Sequence, residues 1–115
     1  MSPHEDAFEA IERVVDGGGE ADSVLRRVVE ILHERLGGFV RISFVEGGEV
    51  VPGPAAGEDA ETERFPIAFQ SRRVAELEAA GELTPDDRLL LERVATLLSP
   101  YALVGWDTGG EEWTP

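Results

Sequence analysis

The sequence predicts an α+β domain: an antiparallel β-sheet with N-terminal and C-terminal helices packed on one of its faces. Three observations carry this expectation. Apolar residues recur at helical spacing towards both ends, they alternate with polar residues through the middle, and the period changes at Gly or Pro clusters. At 115 residues the chain has room for one core and not for two.

"SPHE" opens as a helix start, with Ser2 able to cap, Pro3 at the first helical position and Glu5 completing a capping box. Phe8, Ile11 and Val15 follow at helical spacing, and "DGGGE" (Asp16 to Glu20) stops the helix because three glycines do not continue it cheaply. Asp22 or Ser23 then caps a second helix running to about Leu36. Its apolar residues, Val24, Leu25, Val28, Val29, Ile31, Leu32 and Leu36, make a stripe wider than one sheet face needs.

"FVRISFVE" (Phe39 to Glu46) switches to period two, with Val40, Ile42 and Phe44 on one side and Arg41 and Ser43 on the other. Gly47-Gly48 is a two-residue hairpin turn, and "EVV" begins the returning strand. Pro52 to Glu61 reads as a loop without periodicity. "TERFPIAFQ" resumes alternation through Phe65, Ile67 and Phe69, and Pro66 suggests an edge or a bulge. "SRRVAELEAA" is read as a further strand in preference to a helix, since Gln70-Ser71 suits a hairpin turn and Gly81 soon ends the pattern. In the final helix Thr84 caps, Pro85 takes the first position, and Asp86 and Asp87 face the positive end of the dipole. Leu90, Val94, Leu97 and Tyr101 form its stripe, with Leu91, Ala95, Leu98 and Ala102 alongside, and Pro100 is expected to kink or end it. The domain division is thus 1–19 as helix and Gly-rich linker, 20–104 as the domain proper, and 105–115 as a C-terminal tail.

Composition narrows the function. A net charge of −14 repels phosphate backbones and anionic lipid, which argues against nucleic-acid and membrane partners. The absence of cysteine removes disulfides, thiolate nucleophiles and Cys-based metal sites. The N-terminus lacks the apolar run of a signal peptide and no stretch suits a membrane span, so a cytoplasmic location is expected.

The chain resembles a GAF domain. "FPIAFQSRRVAELEAAGELTPDDRLLLERVATLLSPYAL" follows that family's ending, a Pro-containing strand, a second strand, an "L-T-P-x-D" cap and a Leu-rich helix. "ADSVLRRVVEILHERLGGFVRISFVEGGEV" is similar to its opening helix and first hairpin. The departure lies in the middle: the segment that lids the pocket in GAF domains shrinks here to Pro52–Glu61, too short to bury a cyclic nucleotide or a tetrapyrrole. With no Cys to tether a bilin and no axial haem ligand in that segment, no cofactor is expected. Some GAF proteins reduce free methionine sulfoxide, but that chemistry needs cysteine thiolates, so the expectation is a chain that is not an enzyme.

Other motifs carry less. Asp107-Thr108-Gly109 matches an aspartic-protease triplet, but a helix precedes it and six residues follow Gly109, where a flap and most of a barrel would have to stand. "GWDTGGEEWTP" reads instead as a segment leaving the last helix, with Trp106 and Trp113 folding back or meeting a partner. His33 beside Glu30 and Glu34 reads as a solvated helix face rather than a metal site, with His4 remote in sequence. "DGGGE" lacks the strand, Lys and spacing of a phosphate loop, and Glu58, Asp59, Glu61 and Glu63 lack the ordered ligand pattern of a Ca²⁺ loop.

The function expected is therefore a signalling or interaction module acting by homodimerisation or by binding a signalling partner through its helices. Leu25, Val28, Leu32, Leu91, Val94 and Leu98 are the expected interface. The alternative is a sensor of a small anionic molecule with a reduced pocket over the sheet, using Arg41, Phe65 and Phe69.

Overall fold

Seven elements follow in order: α1 (Pro3–Asp16), α2 (Ala21–Leu36), β1 (Val40–Glu46), β2 (Glu49–Ala56), β3 (Thr62–Phe69), β4 (Arg72–Ala80) and α3 (Pro85–Gly110). The computed structural model describes residues 3–17, 19–46, 48–69 and 72–110; the side chains of Pro3, Ala21, Glu46, Phe69 and 100–110 fall outside that description. The strands form one antiparallel sheet in the order β2-β1-β4-β3. Two hairpins, β1-β2 and β3-β4, thus lie side by side, and β1 pairs with β4 at the centre.

Period two decides which face is covered. Val40 and Ile42 of β1, Ala75, Leu77 and Ala79 of β4, and Phe65 and Ile67 of β3 are all buried, and the register sets them side by side. Helix α2 packs over β1 and β2, α3 packs over β3 and β4, and α1 packs on α2 and α3. Ala7, Ile11 and Val15 put α1 into the same core as Leu25, Leu32, Leu91 and Leu98. The first helix therefore belongs to the body of the domain. The width of the α2 stripe has the same cause, because α2 meets the sheet, α1 and α3 at once.

The start of α3 follows its expected cap and the start of α2 does not, while Ser2, expected to cap α1, lies outside the described residues. For α3, the Asp87 N–H donates to Thr84 Oγ1 (3.0 Å) and the Thr84 N–H donates to Asp87 Oδ2 (2.9 Å), a reciprocal capping box. For α2 the cap is Glu20, extended at φ −72° and ψ 141° and without a side-chain hydrogen bond, rather than Asp22 or Ser23. Its C-terminus closes on Gly37, whose φ of 84° suits glycine and whose N–H donates to the His33 carbonyl.

Two elements outrun the sequence expectation. Strand β2 continues through Pro52 and Pro54 to Ala56, leaving only Gly57–Glu61 as the loop that crosses to β3. An edge strand tolerates proline because one side of its backbone needs no partner. A bulge between Arg41 and Ser43 takes up the extra residues, and there Gly53 approaches so closely that a Cβ would stand 2.5 Å from the Ile42 carbonyl oxygen. Helix α3 runs through Pro100 to Gly110, so Asp107-Thr108-Gly109 lies on helix and not in a turn. Proline lacks the N–H that would reach the Thr96 carbonyl, and the Ser99 hydroxyl donates to that oxygen instead (3.0 Å).

A polar sheet face as candidate functional site

The helices cover one face of the sheet, and the residues in between point to the other. Arg41 and Ser43 stand there on β1, opposite Glu78 and Glu76 of β4. Arg64 and Pro66 of β3 stand beyond, opposite the same two glutamates, and Thr62 lies opposite Ala80. Glu78, Glu76 and Ser43 are buried, at 2%, 5% and 0% exposure. Buried carboxylates are rare unless paired, and these are paired unequally.

Glu78 is saturated. Its Oε1 accepts from Arg41 Nη2 (2.9 Å) and Thr62 Oγ1 (3.1 Å), and its Oε2 accepts from Ser43 Oγ (2.7 Å). Burial pushes the Glu78 carboxyl up, but the hydrogen bonds from Arg41, Ser43 and Thr62 and the Arg41 charge outweigh it and hold it below its ordinary value. Glu76 is held more loosely, by Arg73 Nη1 at 3.4 Å on Oε2 and by Arg64 Nε at 3.8 Å from Oε1. Two buried atoms have no hydrogen-bond partner among the described residues: the Arg41 Nε donor and the Glu76 Oε1 acceptor. The strip thus carries three guanidinium groups against two carboxylates, a locally positive patch on an acidic protein.

At one end of this face lies a cleft of ≈ 520 Å³, lined by His33, Gly37, Gly38, Phe39, Gly57, Glu58, Ala60, Ala80 and Gly81. The crossover loop forms one wall. Gly57, at φ 95°, sits so close that a Cβ would lie 3.0 Å from the His33 ring and 3.1 Å from Phe39 Cα. The His33 Nδ1–H donates to the Gly38 carbonyl (2.7 Å) and fixes the imidazole. The Arg41 guanidinium lies 5.4 Å from the Phe39 ring centroid, so the floor of the cleft and the polar strip share a contact.

Of the residues expected to bind a ligand, Arg41 is on this face and Phe65 is not: Phe65 is buried beneath the helices. Phe69 ends β3, and its side chain lies outside the described residues. Leu25, Val28, Leu32, Leu91, Val94 and Leu98, expected as an interface, are all at 0% exposure in the core. A side chain without surface in the single chain has none to give a partner, so these six are corrected to core residues. Ser43, Thr62, Glu76 and Glu78 were missed, because strand glutamates ordinarily face water. The available signal was "RIS" and "ELE", two alternating polar sets on strands that pair. Trp113 lies outside the described residues, as does the side chain of Trp106. Among the described residues no three His, Asp or Glu side chains converge as a metal site, and no helix is long and apolar enough to cross a membrane.

No sequence family and no curated protein matches the chain. Solved structures do. A GAF domain from an Acinetobacter phosphoenolpyruvate-protein phosphotransferase superimposes with a TM-score of 0.77 at 8% identity, covering 98% of this chain and 99% of that one. The fold is GAF-like. Two further GAF-like structures are enzymes. One is the free methionine-R-sulfoxide reductase of Neisseria meningitidis in complex with its substrate (TM-score 0.75, 16% identity, 91% of each chain). The other is fRMsr of Staphylococcus aureus, also with substrate (TM-score 0.70, 12% identity, 86% of this chain and 95% of that one). A GAF-like fold therefore occurs in enzymes, and the expectation of a chain that is not an enzyme is withdrawn.

Proposed function

We propose that this chain binds a small zwitterionic molecule of amino-acid type on the open face of its GAF-like sheet. The observation that carries the proposal is the pair of buried atoms left without partners, Arg41 Nε and Glu76 Oε1. Leaving a buried donor or acceptor unmade costs about 1–3 kcal/mol each. Neither atom has accessible surface in the structure, so a molecule that brings an acceptor to Arg41 and a cationic donor to Glu76 must first shift the side chains over them, and then recovers both terms. The sequence expectation of a purely anionic ligand changes accordingly, since a bare anion would answer Arg41 and meet Glu76 as a like charge.

The comparisons support the choice of class. Free methionine R-sulfoxide, the molecule named in the Neisseria enzyme, is itself an amino acid with an ammonium and a carboxylate. The proposal concerns binding; the chain has no cysteine of its own to take part in a reduction.

Isothermal titration calorimetry with glycine, free methionine sulfoxide, acetate and methylammonium tests it. The two zwitterions are expected to bind, and the two single-charge probes to bind at least tenfold more weakly. Arg41→Lys, which removes the Nε–H and keeps a cation, and Glu76→Gln, which keeps the shape and removes the charge, are each expected to weaken zwitterion binding by tenfold or more. No heat from any zwitterion at millimolar concentration overturns the proposal.

A further inference from the structure

We infer that His4 and Asp87 form a pH-sensitive latch that holds α1 on the body of the domain, tightening as the imidazole gains a proton and loosening as it loses one. The latch stands apart from the polar strip and does not depend on what binds there.

The contact fastens the start of one helix to the start of another. The His4 Nε2–H donates to Asp87 Oδ1 at 2.6 Å across 83 positions, and the two side chains keep 26% and 16% exposure. A partly buried pair is screened less than one in open water. Asp87 is itself fixed, because its Oδ2 accepts the Thr84 N–H (2.9 Å) in the α3 capping box, so the carboxylate stays with α3 if α1 leaves. At its other end α1 joins α2 through Gly17-Gly18-Gly19, a backbone free enough to act as a hinge. The surface that such a hinge uncovers is the buried side of α1, Ala7, Ile11 and Val15.

The surrounding charges give the sign. The first turn of α1 carries Glu5 and Asp6, and that of α3 carries Asp86 and Asp87. Two acidic helix starts therefore meet, and a protonated His4 is the cation between them. Arg88, beside Asp87, is turned to Glu63 of β3 (3.0 Å), and Arg93 lies over the Phe8 ring (4.1 Å); both stay charged throughout. From α2, the charged residues Asp22, Arg26, Arg27, Glu30, Glu34 and Arg35 are all exposed, and the core it shares with α1 is apolar. Burial pushes the Asp87 carboxyl up, but the hydrogen bonds from Thr84 and His4 outweigh it and keep it ionised. Histidine is the side chain that changes charge between about pH 5 and 8, and the second one, His33, donates to the Gly38 carbonyl at the end of α2. A neutral His4 still donates from Nε2, so loss of the proton weakens the latch without breaking it.

Amide hydrogen exchange at about pH 5.5 and about pH 8, corrected for the intrinsic rate at each pH, tests the latch on the full chain. The opening equilibrium of α1 is expected to rise about threefold to fivefold towards the higher pH, measured against α2 and α3. His4→Gln keeps a side-chain donor and gains no proton, so its α1 is expected to be protected equally at both. His4→Lys is cationic at both, and its α1 is expected to keep at the higher pH the protection it has at the lower. No change with pH in the wild type overturns the latch, and so does a change of the same size in His4→Gln. Exchange of α1 that tracks α2 and α3 at both pH values overturns it too, since α1 then never opens by itself.

Discussion

Glu78 joins three strands through one carboxylate: Arg41 and Ser43 donate from β1 and Thr62 from β3, while Glu78 itself sits on β4. Removing it strands the Arg41 guanidinium beside an already unpaired Nε. Loss of one partner of a fully buried ion pair costs about 3–5 kcal/mol; Arg41 keeps 27% exposure, so Glu78→Ala is expected to cost less than that and still to lower the urea midpoint. Because the folded carboxyl lies below its ordinary value, the unfolded chain binds more protons in the window between the two pKa values. The stabilisation is fully present above the ordinary value of 4.5 and is lost as pH falls through the depressed one. Asp87 is depressed in the same sense: its burial is outweighed by hydrogen bonds from Thr84 and His4, the His4 Nε2–H donating to Oδ1 at 2.6 Å. Urea unfolding of wild type and Glu78→Gln across acidic pH is expected to show the steeper loss in the wild type; parallel curves would contradict the assignment.

The strands and helices differ in how far they could be read from residues alone. Strand β4 was legible from its punctuation, the turn chemistry of Gln70-Ser71 before it and Gly81 after it, and the structure adds that Ala75, Leu77 and Ala79 lie on the covered face. The far half of β2 was not, since Pro52-Gly53-Pro54 is loop chemistry in any local reading and becomes a strand only by pairing across the bulge with β1. Gly53→Ala tests that account: its Cβ would meet the Ile42 carbonyl oxygen and the Phe44 ring, each at 2.5 Å. A loss of about 1–3 kcal/mol, typical of overpacking, is expected in chemical denaturation. The passage of α3 through Pro100 was likewise hidden, because it depends on the Ser99 hydroxyl reaching the Thr96 carbonyl. Ser99→Ala is expected to cost about 0.5–1.5 kcal/mol and to speed amide hydrogen exchange in the turns beyond Pro100; unchanged exchange there would show that the hydroxyl does not support them.

For the whole molecule, the class of fold and the order of its elements followed from periodicity, whereas the division of labour among the helices did not. An apolar stripe on α2 looks the same whether it meets another chain or two helices of its own, and only the packing of α1 on α2 and α3 separates the cases. The consequence is testable with one substitution. Leu98→Glu places a charge where exposure is 0%, so it is expected to unfold the protein, not to leave a folded chain with an altered oligomeric state. A folded circular-dichroism spectrum for Leu98→Glu would contradict the core assignment. Deletion of residues 3–16 is expected to destabilise the body as well, because Ala7, Ile11 and Val15 leave the core with it.

The five-residue span Gly57–Glu61 is all that separates two hairpins which must meet across β1 and β4. Two residues separate the strands of each hairpin, whereas Arg41 and Glu78 pair across 37 positions. Non-local pairings slow folding because loop closure precedes their reward. Docking of the two hairpins is therefore the step expected to limit folding. Doubling the span with glycines costs only about 0.6 kcal/mol of closure entropy, and the cost falls on the rate of folding while the rate of unfolding is spared.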